Sequence, residues 1–333
     1  MEKAALEQWA KLYHFTREVS AFEPWERFRE GDAFVYVQKE TKTELVFAIL
    51  GNECPFCGIA CYNGWMEYSK AMLRLREENR KQEPQFMLQN AMIGIWGARK
   101  DVSKANYAII KELGLRGHGD GSWLYFEKYS EGYAPKELSD AEAETLADAM
   151  GNVFMMMRAF YEDRLPEYKP GMMLVRWFDE KTKLYMTHPF PMQKLAKPYY
   201  PSIQVEENEH FQSVKELPAA ACTVSLDWSY LPFTVKEDGQ EFFPRLLLGI
   251  DQDEMILVND LLAINKNQVN MVLNAMEDLF RSVGRPKTIK LCDRELEAIL
   301  SDFCHKLGIR VSYTKNLPAL NRVRKMLVND MSK

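Results

Sequence analysis

From Phe243 onward the chain alternates strand-like and helix-like segments, and this alternation limits the possible architectures more than any other feature. Residues 243–250 and 255–262 are apolar runs of strand length, separated by the polar turn Asp251-Gln252-Asp253-Glu254. Val269, Val272, Leu273, Met276, Leu279 and Phe280 then recur at helical spacing, and Gly284 and Pro286 close that helix. Residues 288–292 read as a short strand. Leu296, Ile299, Leu300, Phe303 and Leu307 stripe a second helix, with Gly308 as its cap. Residues 309–313 form another strand, and Leu320, Val323, Met326 and Leu327 predict a final helix. Such alternation requires a parallel portion of sheet with helices packed on it.

The first half shows a comparable order. A helical start with a turn near Glu23-Pro24 precedes strands at 33–37, 44–50 and 58–62. Trp65, Tyr68, Met72 and Leu75 predict an amphipathic helix over 65–80. A strand region at 86–96, a helix at 101–113 capped by Gly114 and a strand at 123–129 follow. Ser139 and Glu142 make a capping box for a helix reaching about residue 162, with Leu146, Met150, Val153, Phe154 and Met157 on one face. Residues 172–178 and 183–187 form a hairpin. Pro189, Pro191, Pro198, Pro201 and Pro218, with Glu206, Glu207 and Glu209, make 188–220 read as a connector. Both halves carry Leu-Gly-Leu/Ile-Arg, at 113–116 and 307–310. Duplication and shared helix-cap chemistry both produce that string.

The fold class is therefore α+β, with two mixed sheets flanked by helices. The expected domains are 1–165, a hairpin and Pro-rich connector at 166–220, and 221–333. Length agrees, since 333 residues suit about two domains. No apolar run is long enough for a membrane helix, and Met1–Glu7 lacks a basic-then-apolar leader. Cys222, Cys292 and Cys304 lie singly in apolar stretches, as reduced core thiols do, so a cytoplasmic protein is expected. The net charge of −5 provides no global cationic surface for nucleic acid. Residues 286–333 nonetheless carry +5, leaving −10 elsewhere.

The pattern resembles an uncharacterised bacterial family built from domains of unknown function. The likeness rests on Ile49-Leu50-Gly51-Asn52, Gly58-Ile59-Ala60-Cys61-Tyr62-Asn63-Gly64 and Gly132-Tyr133-Ala134-Pro135 in the first half. In the second half it rests on Phe243-Pro244-Arg245-Leu246-Leu247, Gly284-Arg285-Pro286-Lys287-Thr288-Ile289-Lys290, Leu307-Gly308-Ile309-Arg310-Val311 and Leu317-Pro318-Ala319-Leu320. That family implies no activity and no catalytic residues. The second half also resembles ribonuclease H-like folds, including integrase cores, in its order of elements. The likeness makes Asp251 and Asp293, each following a strand, candidate ligands of a catalytic metal pair.

Each candidate chemistry has a structural counterpart. Asp251 suits a turn, Asp293 suits a helix cap, and 317–328 supplies no third acid. Cys54-Pro55-Phe56-Cys57, with Cys61, suggests a dithiol or metal site. The segment after Cys54 reads as strand rather than helix, and no fourth ligand lies near in sequence. His118 and Asp120 sit in the glycine-rich string 116–121, which lacks a phosphate loop's Lys-Ser/Thr and reads as a flexible connection. G-x-S-x-G is absent. Arg322, Arg324 and Lys325 offer phosphate contacts, or simply a solvated face of the last helix. The reading adopted is a cytoplasmic, non-enzymatic binding protein. It has no expected cofactor or membrane contact, and its candidate partner is another protein of unspecified kind. The alternatives are a metal-dependent nuclease-like or phosphoryl-transfer enzyme using Asp251 and Asp293, and a thiol or metal site at Cys54, Cys57 and Cys61.

Overall fold

The computed structural model describes residues 3–29, 31–51, 56–76, 83 and 88–331. The architecture is α+β, in two compact units. In the first unit, α1 (Lys3–Ser20) precedes β1 (Ala33–Val37), β2 (Glu44–Leu50) and β3 (Cys57–Asn63). Then come α2 (Trp65–Leu75), β4 (Ala91–Gly97), α3 (Lys104–Glu112), β5 (Trp123–Tyr129) and β6 (Lys136–Glu137). α4 (Asp140–Tyr161) leads to the hairpin of β7 (Met172–Asp179) and β8 (Leu184–Pro191). The sheet order is β6-β5-β4-β3-β2-β1-β7-β8, antiparallel except where β1 meets β7. The hairpin assigned from sequence to the 166–220 segment is thus part of this sheet. Strands 33–37, 44–50 and 123–129 have their expected bounds. The helix expected to reach residue 80 is described to Leu75, and residues 77–80 lie outside the described residues.

α4 starts where its capping chemistry places it. Ser139 Oγ accepts from the Glu142 N–H at 3.3 Å, and the Glu142 carboxylate accepts from the Ser139 N–H at 2.9 Å. Leu146, Met150, Val153 and Met157 are buried as the stripe predicts. α1 lies along α4 and buries Trp9, Leu12 and Tyr13, while Trp9 Nε1 donates to Asp140 Oδ1 at 2.8 Å. Gly94 makes room beneath α1. A Cβ there would stand 2.9 Å from the Phe126 ring, which meets Tyr13 edge-on at 5.0 Å.

In the second unit, α5 (Glu209–Lys215) precedes the long β9 (Ala219–Tyr230). The hairpin of β10 (Val235–Glu237) and β11 (Gln240–Phe242) is followed by β12 (Arg245–Ile250), β13 (Ile256–Leu262) and α6 (Gln268–Val283). β14 (Arg285–Leu291), α7 (Arg294–Lys306), β15 (Arg310–Tyr313) and α8 (Pro318–Met331) complete it. The sheet order is β13-β12-β9-β14-β15, with β9, β14 and β15 parallel and β12 and β13 antiparallel. The parallel portion expected from the alternation is these three strands, and the element order is the one behind the ribonuclease H-like resemblance. α5 falls inside the stretch read as connector. Asn208 caps it, and Phe211 and Val214 are buried, anchoring one short turn of apolar surface amid the polar residues.

Side chains of β9, β12 and β14 alternate between two cores. Val224, Leu226, Trp228, Leu247, Ile289 and Leu291 meet buried residues of α6 and α7. Leu246, Leu248 and Ile250 point the other way and meet Leu317, Leu320 and Val323. The two sheets differ in topology, so the Leu-Gly-Leu/Ile-Arg strings reflect a shared cap. Gly114 and Gly308 are left-handed, at φ 68° and 72°. The next N–H bonds back five residues in each case, Leu115 to Ile110 and Ile309 to Cys304.

Removing the α4 cap with Ser139→Ala should cost about 1 kcal/mol of stability, while Ser139→Asp should cost much less. The urea midpoints of the two variants measure this.

Candidate functional site

The two acids taken from sequence lie on opposite sides of β9. Asp251 follows β12, whose last residue, Ile250, pairs with Ser225. Its carboxylate accepts from the N–H groups of Asp253 at 2.9 Å and Met255 at 2.8 Å, which shapes the turn into β13. Asp293 follows β14 and caps α7, accepting from the Leu296 N–H at 2.8 Å. Among the described residues, no three His, Cys, Asp or Glu side chains gather as metal ligands would.

A third carboxylate, Asp227, lies between these acids at the centre of the sheet. It sits mid-strand in β9, paired with Leu248, on the face covered by α8. Arg324 of α8 reaches it, with Nη2 2.5 Å from Asp227 Oδ2. Both side chains are almost wholly buried, 7% and 3% exposed. Arg324 Nη1 also donates to Asn321 Oδ1 one turn earlier. Ser229 lies two residues along the same face, and its buried hydroxyl makes no hydrogen bond among the described residues. Paired burial of this kind is tolerated only because each charge answers the other.

This placement corrects the reading of the last helix. Arg324 faces inward and is not available to a phosphate backbone. Leu320, Val323 and Arg324 form the buried stripe, with Leu327 and Val328 partly buried behind them. Met326, expected on the apolar face, is 58% exposed. Arg322 is exposed but pairs with Glu254, while Lys325 is exposed.

The thiols are dispersed. Cys57 and Cys61 lie four residues apart on β3, about 13 Å along an extended strand, too far to share one zinc ion. Cys54 lies outside the described residues. Burial, and then the charge of Glu26, push the Cys57 thiol up. Burial does the same for Cys61, and it pushes Cys304 up to about 12. These shifts oppose a thiolate nucleophile. Cys57 lines a shallow cleft of about 390 Å³ with Phe56, Trp96 and Asp101. His118 and Asp120 are exposed on a loop where Gly119 and Gly121 take positive φ.

Asp227 and Ser229 escape a search for continuous apolar runs, because they are polar residues alternating with apolar ones after Leu226. The alternation Leu226-Asp227-Trp228-Ser229-Tyr230 is a strand signal in its own right, and it continues β9.

Residues 9–176 match the family model described as domain of unknown function DUF7309. The chain belongs to the DUF7309 family. In this DUF7309 protein, residues 210–328 also match domain of unknown function DUF6930, so two such domains cover most of the chain, as the resemblance implied. No curated protein matches the sequence. Among solved structures, the HTLV-2 integrase catalytic core domain in complex with magnesium, in its dimeric form, is similar at 13% identity. The match covers 33% of this chain and 70% of that one, with a TM-score of 0.27. The simian T-cell lymphotropic virus intasome in complex with PP2A regulatory subunit B56 gamma is similar at 15% identity. There the match covers 34% of this chain and 40% of that one, with a TM-score of 0.26. Likenesses this slight add nothing to the topology described above.

Breaking the buried pair with Arg324→Met should cost about 3–5 kcal/mol, and Asp227→Leu in the same chain should restore part of it. Denaturant melts of the single and double variants test this coupling. Peptide-resolved iodoacetamide labelling at neutral pH should find Cys57 slower than an unstructured cysteine peptide, and faster as pH rises.

Proposed function

We propose that this chain is a non-enzymatic binding protein of the bacterial cytoplasm. The Asp227–Arg324 pair carries the proposal. A divalent ion seated on Asp227 would have to displace the guanidinium. A buried guanidinium without its counter-charge costs on the order of 3–5 kcal/mol. The cation that the central carboxylate needs is therefore built into α8. Asp251 and Asp293 support the same reading, because each already has an oxygen engaged by backbone N–H groups. A two-metal site needs carboxylates open towards one point.

The bacterial setting follows the family resemblance. The cytoplasm is supported by the free thiols of Cys57, Cys61, Cys222, Cys292 and Cys304, the state that a reducing compartment maintains. Among the described residues, no helix is long and apolar enough to cross a membrane.

A thermal-melt titration with Mg²⁺ or Mn²⁺ should leave Tm unchanged through the millimolar range. A ligand held only by the folded state would add about 2.7 kcal/mol at a hundred times its Kd. A saturable rise in Tm would favour the metal-dependent enzyme on Asp251 and Asp293 and would overturn this proposal.

A further inference from the structure

α8 covers only part of its face of the second sheet. It lies over β12 and β9, where Leu246, Leu248 and Asp227 meet it. Further across the same face, the parallel strands β9, β14 and β15 present two rows of polar side chains. Thr223, Thr288 and Arg310 are paired across the three strands, and so are Ser225, Lys290 and Ser312. Residues paired in register share a face. The alternate residues Val224, Ile289 and Val311 go to the core beneath α6 and α7, so these six point away from it.

Lys290 and Arg310 are exposed, and the four hydroxyl residues are half-exposed. None of the six side chains makes a hydrogen bond or ion pair among the described residues. No carboxylate lies in either row. Acids around the strip are engaged: Asp227, two residues beyond Ser225 on the same face of β9, is paired with Arg324, Asp293 beyond β14 caps α7, and two more engaged acids lie in the turn at 251–254. There Asp251 is engaged by backbone N–H groups and Glu254 by Arg322. Lys290 and Arg310 belong to the +5 stretch of a chain whose net charge is −5.

We propose that this strip of β9, β14 and β15 binds the phosphodiester backbone of nucleic acid. The inference rests on the binding-protein reading and gives it a partner. Lys, Arg, Ser and Thr side chains are the groups that hold phosphate oxygens. The strip is open and crosses three strands, which suits an extended polyanion better than a small enclosed one. Its rows carry no aromatic ring on which a base would stack, so recognition is of backbone and independent of sequence.

The test is fluorescence anisotropy with a labelled 20-base-pair DNA duplex of mixed sequence at low salt. The full-length protein should bind, with affinity falling as salt rises. K290E/R310E should lose at least tenfold in affinity, and its log–log salt slope should shrink by about 1.8, two phosphate contacts at about 0.9 each. K290Q/R310Q should fall between, and both variants should melt with the wild type because the two side chains are exposed. Binding that is absent at low salt, or unchanged in K290E/R310E, overturns the proposal. Equal displacement of the duplex by polyglutamate also overturns it, since the strip would then serve acidic protein. With Mg²⁺ present the duplex should stay intact. Cleavage would sink the non-enzymatic reading while leaving the binding surface standing, whereas lost binding would do the reverse.

Discussion

The second unit depends on the requirement that β9 be covered on both faces. It is flanked by β12 along Ser225–Tyr230 and by β14 along Ala219–Ser225, and its side chains enter two separate cores. Aliphatic and aromatic residues satisfy one core without further conditions. The other contains Asp227, and a carboxylate there sets a condition on whatever covers it. α8 meets it with Arg324. That contact fixes the rotation of the helix and turns Met326 outward.

The same pairing bears on chemistry. A carboxylate at the centre of a sheet is well placed to hold a metal, provided that it is open. Here its partner is covalently part of the fold and cannot diffuse away. Burial makes the pair costly to break from either side, so the site is closed by the interaction that stabilises it.

Much of the fold was readable because it follows local rules. Strands such as 44–50 are continuous apolar runs bounded by turns, and the α4 box is a four-residue chemical signature. The hairpin of β7 and β8 was readable, but its pairing with β1 was not, because parallel partners are far apart in sequence. α5 was hidden by its brevity, since seven residues give barely two turns of periodicity. The candidate site was the least legible part. In sequence Asp227 is a polar residue among alternating apolar ones, and Arg324 is one charge in a basic cluster. Only the phase of α8, set by Leu320 and Val323, brings the two together.

The edge of the first sheet has its own consequence. β8 is the last strand there, and Pro189 and Pro191 occupy alternate positions along it, paired with Leu174 and Met172. A proline offers no N–H to a newcomer. The rim of the first sheet is thus stripped of donors at two successive outward positions, and the ladder ends there. Another chain approaching this end of β8 finds the exposed Phe190 side chain but no backbone donors to pair with, so here the unit can be recognised through its side chains while its backbone resists templated association.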